Sequence, residues 1–413
     1  MFSGLLLVLF YFFAGISIVL GLLSLRGGVS FVRYLQKETA KELPEYTPFT
    51  AVFVPCRGVD DGLKENILNL FAQDYPAFEI IFVSDSADDP AFAVIEEARQ
   101  AFRKQTGPVI STFIAGPATD SGQKVHNLRK AINAATAESE VFVFTDTDAQ
   151  TQKFWLRALV ASLQDEKTGA TTGYRWFVAR NGGFASHLLS VWNAAIASAL
   201  GERGEKNFCW GGSTAIRRET FQKLRVAERW HGTVSDDFTL TRVLHEAGLA
   251  VKFVPPCLTP SFHRAAPREL IEFTTRQLKI TRVYASHLWR SVLIGSVIFA
   301  IAFFGGIALI IARAVLGASF ATPLVLLLLI FAMGAAKSHL RLKAVSLVIN
   351  DEAVRRTATA LAHIFLWPIA SLLFLYNALA AAVSRRITWR SISYELKSPT
   401  ETVILAHEPV RRA

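Results

Sequence analysis

Apolar positions along this chain follow three different rhythms. Gly4 to Leu25 is an uncharged run, long enough to cross a bilayer as one helix. From residue 45 to 285, short β-rich runs alternate with stretches of helical spacing. Thr50–Val54, Glu79–Val83, Val109–Ile114 and Val141–Thr145 read as buried strands, and Leu63–Ala72, Pro90–Arg103 and Gln123–Ala137 as helices. Strand–helix–strand order repeated in this way predicts a largely parallel α/β sheet with ligands at the carboxyl ends of its strands. Beyond Arg290 the uncharged rhythm returns in Ser291–Ala312, Ala318–Ala336 and Thr357–Val383. The first two are joined by a few residues and predict a hairpin, whereas Pro368 interrupts the last and predicts a broken or re-entrant element. The expected organisation is a transmembrane helix in 1–25, an α/β domain in 45–285, about three membrane helices in 286–383 and a tail in 384–413.

Charge changes the picture through its location. The 413 residues carry a formal charge of +10, which in another setting would suggest nucleic acid. Here Arg26, Arg33, Lys37, Arg290, Arg313, Lys337, Arg341, Lys343, Arg355, Arg356, Arg385 and Arg386 crowd the edges of apolar runs. That distribution fits anionic headgroups and a fixed orientation in a bilayer, so nucleic acid is discarded as a partner. No basic residue precedes the first run and no small-x-small site follows it, which disfavours a cleaved leader. The positive-inside rule then places Arg26 onward, and the basic loop Lys337–Arg356, in the cytosol of what the short loops suggest is a bacterial cell membrane. Strict parity sends the tail outside, but Arg385, Arg386, Arg390 and Lys397 argue against that, and the sequence leaves its side open. Cys56, Cys209 and Cys257 have neither CxxC spacing nor a histidine cluster, so they read as buried small hydrophobes.

Candidate chemistry gathers at strand ends. Asp146-Thr147-Asp148 directly follows Val141–Thr145, and carboxylates one residue apart there can share a divalent cation that in turn holds a diphosphate. Acidic turns after strands are common, so the motif needs company. Asp85 supplies some, following the second strand where a carboxylate could accept hydrogen bonds from a base or ribose. Asp236-Asp237 opens a predicted helix, Phe238–Ala247; Ser235 or Asp236 suits an N-cap, and Asp237 could be a general base toward an acceptor hydroxyl. Arg268–Arg290 reads as an amphipathic helix with Arg276, Lys279 and Arg282 along one face. That row could neutralise a departing diphosphate or simply snorkel to headgroups, a reading that suits Arg282 best.

Taken together, these segments resemble ceramide glucosyltransferases, within the broad GT-A class that also contains cellulose and hyaluronan synthases. The likeness is carried by Pro55-Cys56-Arg57-Gly58-Val59-Asp60, Gln73-Asp74-Tyr75-Pro76, Asp85-Ser86-Ala87-Asp88-Asp89-Pro90, Lys124 with Asn127, Asp146 to Asp148, Gly211-Gly212-Ser213, Asp236-Asp237, and the tail Ile387-Thr388-Trp389-Arg390 followed by Tyr394. It runs in order over nearly the whole chain. It implies a GT-A fold, a Rossmann-like mixed sheet that binds a nucleotide-diphospho-sugar, attached to about four transmembrane helices. By the same resemblance, Pro55, Arg57, Gly58, Asp85, Lys124, Asp146 and Gly212 would bind a UDP-sugar donor. Asp146 and Asp148 would hold Mg²⁺ or Mn²⁺, and Asp237, with Asp236, Arg276 and Lys279, would serve catalysis. Sugar choice is expected to rest on contacts near Lys124, Arg175 and Trp210.

The implied reaction is an inverting transfer to a membrane lipid hydroxyl such as that of ceramide. At Arg276-Gln277-Leu278-Lys279-Ile280 the chain departs from the family's (Q/R)xxRW motif, with Lys for Arg and Ile for Trp. Lys279 keeps the charge without the bidentate fork, which leaves a hopanoid, diacylglycerol or polyprenyl phosphate acceptor open. The missing aromatic platform and the small number of helices disfavour a polysaccharide synthase. A dehydrogenase is disfavoured because Val54-Pro55-Cys56-Arg57-Gly58 stands where GxGxxG would follow the first strand. A transporter would need more intramembrane polarity than His363 and Asn377 provide, and a scaffold would not need the full set of carboxylates.

Overall fold

The computed structural model describes residues 2–102, 107–180, 182–262 and 264–407. It divides into two compact units. An α/β unit holds Lys37–Trp176, Leu200–Ser261 and the chain from Arg385 onward, and a helical unit holds the residues up to Gln36, Phe177–Ala199 and Phe262–Ser384. The units are therefore discontinuous in sequence, which the contiguous stretches 45–285 and 384–413 do not anticipate. A short apolar helix, Phe184–Ala197, interrupts the α/β stretch and belongs to the helical unit.

Among the described residues, seven strands form the main sheet in the order β3-β2-β1-β4-β6-β5-β7. They are β1 (Thr50–Pro55), β2 (Phe78–Ser84), β3 (Val109–Ile114), β4 (Val141–Thr145), β5 (Thr168–Phe177), β6 (Ser213–Arg217) and β7 (Ala250–Ser261). β3, β2, β1 and β4 run parallel, while β6 is antiparallel to both β4 and β5. The sheet is thus mixed, and the expectation of a largely parallel one holds for its first half. Alternation along β1 explains why this half reads as continuous apolar runs. Val52 and Val54 enter one core with Leu63, Ile67 and Leu70, and Phe53 enters the other with Val125, Leu128 and Trp230. β3 corrects the buried-strand expectation: it is the sheet edge, and Val109 and Ile114 are more than half exposed.

The helices Leu63–Phe71, Pro90–Ala101 and Gln123–Ala131 fall where the spacing predicts. The last is followed by a 3₁₀ turn, Ile132–Ala134, instead of running to Ala137, and Arg103 lies outside the described residues. The tail forms a second, antiparallel sheet of β8 (Arg386–Trp389), β9 (Ile392–Ser398) and β10 (Glu401–His407). Tyr394 of β9 accepts a hydrogen bond from the Gln123 backbone N–H at 3.1 Å, which fixes this sheet to the α/β unit.

In the helical unit, three described helices are long and apolar enough to cross a membrane: Gly4–Thr39, Ser286–Val315 and Ala321–Val345. The first extends well beyond Leu25. Leu5, Val8, Phe12, Leu22 and Leu23 on it are exposed, as lipid-facing side chains would be. Thr357–Phe365 and Trp367–Val383 form a bent pair at 56°, so the interruption predicted at Pro368 is present. Small residues allow close packing here: a Cβ on Gly334 would stand 2.3 Å from the Trp367 ring at the bend. The amphipathic helix is shorter than expected, Pro267–Tyr284, and Ala285 (φ −140°, ψ 63°) separates it from the span that starts at Ser286. His363 and Asn377 are packing partners. The His363 Nε2 and Ser190 Oγ lie 3.1 Å apart, and Asn377 Oδ1 accepts from Thr275 at 3.0 Å and Thr274 at 3.3 Å.

Candidate active site

The strand order reverses between β1 and β4, because the chain winds outward from β1 to β3 and returns on the other side of β1. Open α/β sheets bind ligands at the carboxyl ends beside such a reversal. Two sequence-predicted segments sit there: Pro55-Cys56-Arg57-Gly58 after β1, and Asp146-Thr147-Asp148 after β4. Asp85 follows the neighbouring β2. Its carboxylate is ion-paired with the buried Arg57 guanidinium and lies 3.6 Å from His407 Nε2 at the end of β10. Gly58 adopts φ 74°, a conformation that favours glycine, and its N–H donates to Asp89 Oδ1 at 3.0 Å.

The Asp146 and Asp148 carboxylates are held by cations from two other elements. Lys124, in the first turn of Gln123–Ala131, reaches Asp146 Oδ1 at 2.8 Å and Asp236 Oδ1 at 3.3 Å. Arg175 on β5 makes a two-pronged contact with Asp148 at 3.1 and 3.2 Å and approaches Asp146 at 3.5 Å. The face of its guanidinium lies 5.0 Å from the Trp210 ring. Burial opposes the charge on Asp146, yet Lys124 and then Arg175 outweigh it and hold its pKa below the ordinary carboxylate range. For Lys124 burial is likewise outweighed, here by Asp146, Asp236 and Asp237, and its pKa is raised.

Asp236 and Asp237 open the helix Asp236–Glu246, and they differ. Ser235 is the N-cap, accepting from the Phe238 N–H at 3.2 Å, so Asp236 is not the cap. Asp236 is buried against Lys124, and its backbone oxygen accepts from Trp230 Nε1 at 2.9 Å. Trp230 packs edge-on to Phe144 of β4 with centroids 5.3 Å apart, tying the two acidic segments to one core. Burial pushes the Asp236 carboxyl up to about 6; Lys124 counters this only in part, because Asp237 and Asp146 add repulsion. Asp237 is half-buried, and its Oδ1 accepts both from Ser235 Oγ and from the Phe238 N–H at 2.8 Å.

Gly211 rather than Gly212 makes the closest approach to this cluster. A Cβ there would stand 2.3 Å from Asp236 Oδ2 and 2.6 Å from Lys124 Nζ, whereas one on Gly212 would strike the Trp210 ring. Pro55 ends β1 and leads directly into the Arg57 turn. The fold thus brings together Pro55, Arg57, Gly58, Asp85, Lys124, Asp146, Asp148, Gly212, Asp236 and Asp237 within the α/β unit. Arg276 and Lys279 belong to the helical unit, where the Arg276 guanidinium lies 5.5 Å from the Phe273 ring and burial lowers the Lys279 pKa. Arg282 is bound within that same unit, donating to the Ala381 carbonyl and facing the Trp289 ring at 5.4 Å, a packing role.

Two contributors escaped the site expected from sequence. Asp60 accepts from Arg390 and, at 2.7 Å, from Thr147 Oγ1. Both stand in motifs that carry the resemblance, but no local pattern joins positions 330 residues apart. Among the described residues no group of three or more His, Cys, Asp or Glu side chains could hold a metal ion alone. Asp146 and Asp148 nevertheless offer hard oxygens at one strand end. Magnesium sites are commonly built from one or two carboxylates completed by substrate phosphates, so this donor set fits such an ion.

The sequence pattern of glycosyl transferase family 21 matches residues 9–402. The chain belongs to that family. It is by family a glycosyltransferase, and its apolar helices agree with a membrane protein. Ceramide glucosyltransferase 3 of Caenorhabditis elegans is 25% identical over 124 residues, an alignment that spans 29% of this chain and 26% of that relative. Among solved structures, the mannosyltransferase PcManGT of Pyrobaculum calidifontis, in complex with GDP-Man and Mn²⁺, is similar with a TM-score of 0.46 at 18% identity, covering 90% of this chain and 98% of that one. The Mycobacterium tuberculosis glucosyl-3-phosphoglycerate synthase complex with phosphoglyceric acid gives a TM-score of 0.36 at 14% identity, covering 61% of this chain and 82% of that one. Both structural likenesses are remote.

Proposed function

We propose that this family 21 glycosyltransferase transfers a sugar from a UDP-sugar to the hydroxyl of a membrane lipid of the ceramide type, with inversion at the anomeric carbon. The observation that carries the reading is the convergence of Asp85, Asp146, Asp148, Asp236 and Asp237, interleaved with Arg57, Lys124 and Arg175, within one unit whose sheet reverses its strand order between β1 and β4. Asp85 and Arg57 receive the nucleoside end of the donor. Asp146 and Asp148 would hold Mg²⁺ or Mn²⁺, which when bound supplies charge neutralisation to the diphosphate.

Asp237 Oδ2 takes the proton of the lipid hydroxyl, whose oxygen forms the new bond to the anomeric carbon. The bond from that carbon to the diphosphate oxygen breaks on the opposite face. Lys124 and Arg175 stabilise the negative charge that leaves with it. Asp236 positions Lys124. Arg276 and Lys279, in the helical unit, are kept as candidate catalytic residues on the resemblance alone.

A lipid acceptor gives the apolar helices a reason. Each acyl methylene exposed to water costs about 0.8 kcal/mol, so the enzyme must work at the bilayer surface. We place the α/β unit in the cytosol, following the basic flanks of the spans. The chain leaves this unit after Ser261 and re-enters it at Arg385. The number of crossings between those points must be even, so we read the bent pair Thr357–Phe365/Trp367–Val383 as re-entrant and the tail as cytosolic.

The Caenorhabditis relative supports ceramide, while Lys279-Ile280 in place of Arg-Trp favours a second reading in which another lipid alcohol is used. The test is transfer from a panel of labelled UDP-sugars, by detergent-purified protein with Mn²⁺, to ceramide and to diacylglycerol, resolved by thin-layer chromatography. A labelled ceramide supports the first reading and a labelled diacylglycerol alone the second. Absence of both products together with absence of UDP release counts against donor class and reaction.

A further inference from the structure

The tail sheet reaches the donor side of the α/β unit at one defined point. Trp389 and Ile392 pair across β8 and β9, leaving Arg390 and Ser391 as a two-residue loop with φ 48° and 64°. Hairpins of this kind prefer Asn-Gly, because both positions require positive φ. An arginine held there by its surroundings is a sign of use. Its carbonyl accepts from Arg57 Nε at 3.0 Å, and its side chain donates to Asp60. The other Asp60 oxygen accepts from Thr147 Oγ1 at 2.7 Å, the middle residue of Asp146-Thr147-Asp148. One carboxylate therefore stands between this guanidinium and the acidic loop.

We propose that Arg390 is a donor-binding residue whose guanidinium engages the diphosphate of the nucleotide-sugar, brought to it by the tail hairpin. The proposal rests on the donor class argued above. The hairpin is well fixed: Tyr394 Oη accepts from the Gln123 N–H, and a Cβ on Gly232 would lie 2.1 Å from the Thr400 carbonyl oxygen. Burial opposes the charge on Arg390, but Asp60, and after it Asp148 and Asp146, more than offset that and raise its pKa. Asp60, its direct partner, is joined in turn by Thr147 to the loop whose carboxylates Lys124 and Arg175 hold. A diphosphate presents oxygens with the geometry that Asp60 presents, and a guanidinium fork can pair with both.

The test is titration calorimetry of the full-length protein in detergent with Mn²⁺, using UDP and UMP as probes, on wild type, Arg390→Gln, Arg390→Lys and Asp60→Asn. Arg390→Gln should weaken UDP about tenfold or more while changing UMP less than about twofold. Arg390→Lys should recover part of the loss, and Asp60→Asn, which removes a partner of the guanidinium but not the guanidinium itself, should weaken UDP less than Arg390→Gln does. Unchanged UDP affinity in Arg390→Gln overturns the proposal, as does an equal loss of UDP and UMP. If Arg390→Gln does not fold, Arg390→Lys decides: a smaller loss of UDP affinity with UMP unchanged is expected, and UDP affinity equal to wild type overturns the proposal. A wild type that does not bind UDP refutes the donor class itself, and the role of Arg390 falls with it; UDP binding that ignores Arg390→Gln refutes Arg390 alone.

Discussion

Lys124, expected to bind the donor, and Lys279, expected to meet its departing diphosphate, are treated in opposite ways by the two units. Lys124 lies among Asp146, Asp236 and Asp237, which raise its pKa against the pull of burial. Lys279 lies on an amphipathic helix where burial lowers its pKa. The contrast extends to the units as wholes. In the α/β unit, Asp85, Asp146, Asp148 and Asp236 are held by guanidinium or ammonium groups. In the helical unit the buried polar groups are neutral except for Arg341, and Trp192 Nε1, Asn193 Oδ1, Trp367 Nε1 and Asn377 Nδ2 have no hydrogen-bond partner. One unit gathers paired charges at its strand ends, and the other relies mainly on shape, as packing in an apolar medium does.

The comparison can be broken most forcefully at Lys124. Lys124→Met leaves Asp146 and Asp236 facing each other, and should lower unfolding stability by about 3 kcal/mol, whereas Lys279→Met should lower it little or not at all. Parallel thermal melts in detergent measure both, and equal losses would erase the distinction. Asp148→Ala should reduce Mn²⁺-dependent UDP binding by about tenfold or more, read by titration, because one of the paired hard oxygens is lost. UDP binding by the wild type that is indifferent to Mn²⁺ would contradict that assignment.

Acid titration sharpens the comparison further. Asp236 has a folded pKa raised to about 6, so its proton-linked stability is fully present below the ordinary carboxylate range and is lost as pH rises through about 6. Asp146 is depressed, so its contribution is present above the ordinary carboxylate range and is lost as pH falls through its lowered value. Asp236→Asn should therefore gain stability relative to wild type between about pH 4 and about pH 7. A difference that stays constant with pH would show that Asp236 titrates normally. The smallest effects belong to the helical unit. Trp192→Phe removes an N–H that has no partner and keeps the ring stacked on Phe374 at 5.0 Å, so its melting temperature should stay close to wild type.

What could be read from the sequence follows the same division. β1, β2 and β4 are buried on both faces, so they show as apolar runs with acidic residues at their ends, and those residues proved to cluster. β5, β6 and β7 did not declare themselves. β7 contains Pro255 and Pro256, which speak against a strand, and β5 carries Gly169 and Gly173, the latter with Cys257 and Ser213 pressed against it. Arg175 therefore lay on an element that was not foreseen, although its place near Trp210 was. The pairing of Arg390 with Asp60 depends on how the tail folds back, and no periodicity reports that. The spans were legible by length, but the excursion Phe184–Ala197 and the return of the tail are tertiary facts that a linear hydropathy pattern does not contain.

The central claim is that Asp237 is the base in a site whose other carboxylates bind the donor. The most direct measurement compares wild type and Asp237→Asn in one preparation, recording UDP affinity with Mn²⁺ and the rate of labelled lipid formation. UDP affinity within about twofold of wild type, with turnover reduced by about 10²-fold or more, is the predicted result. Turnover that survives Asp237→Asn would contradict the account.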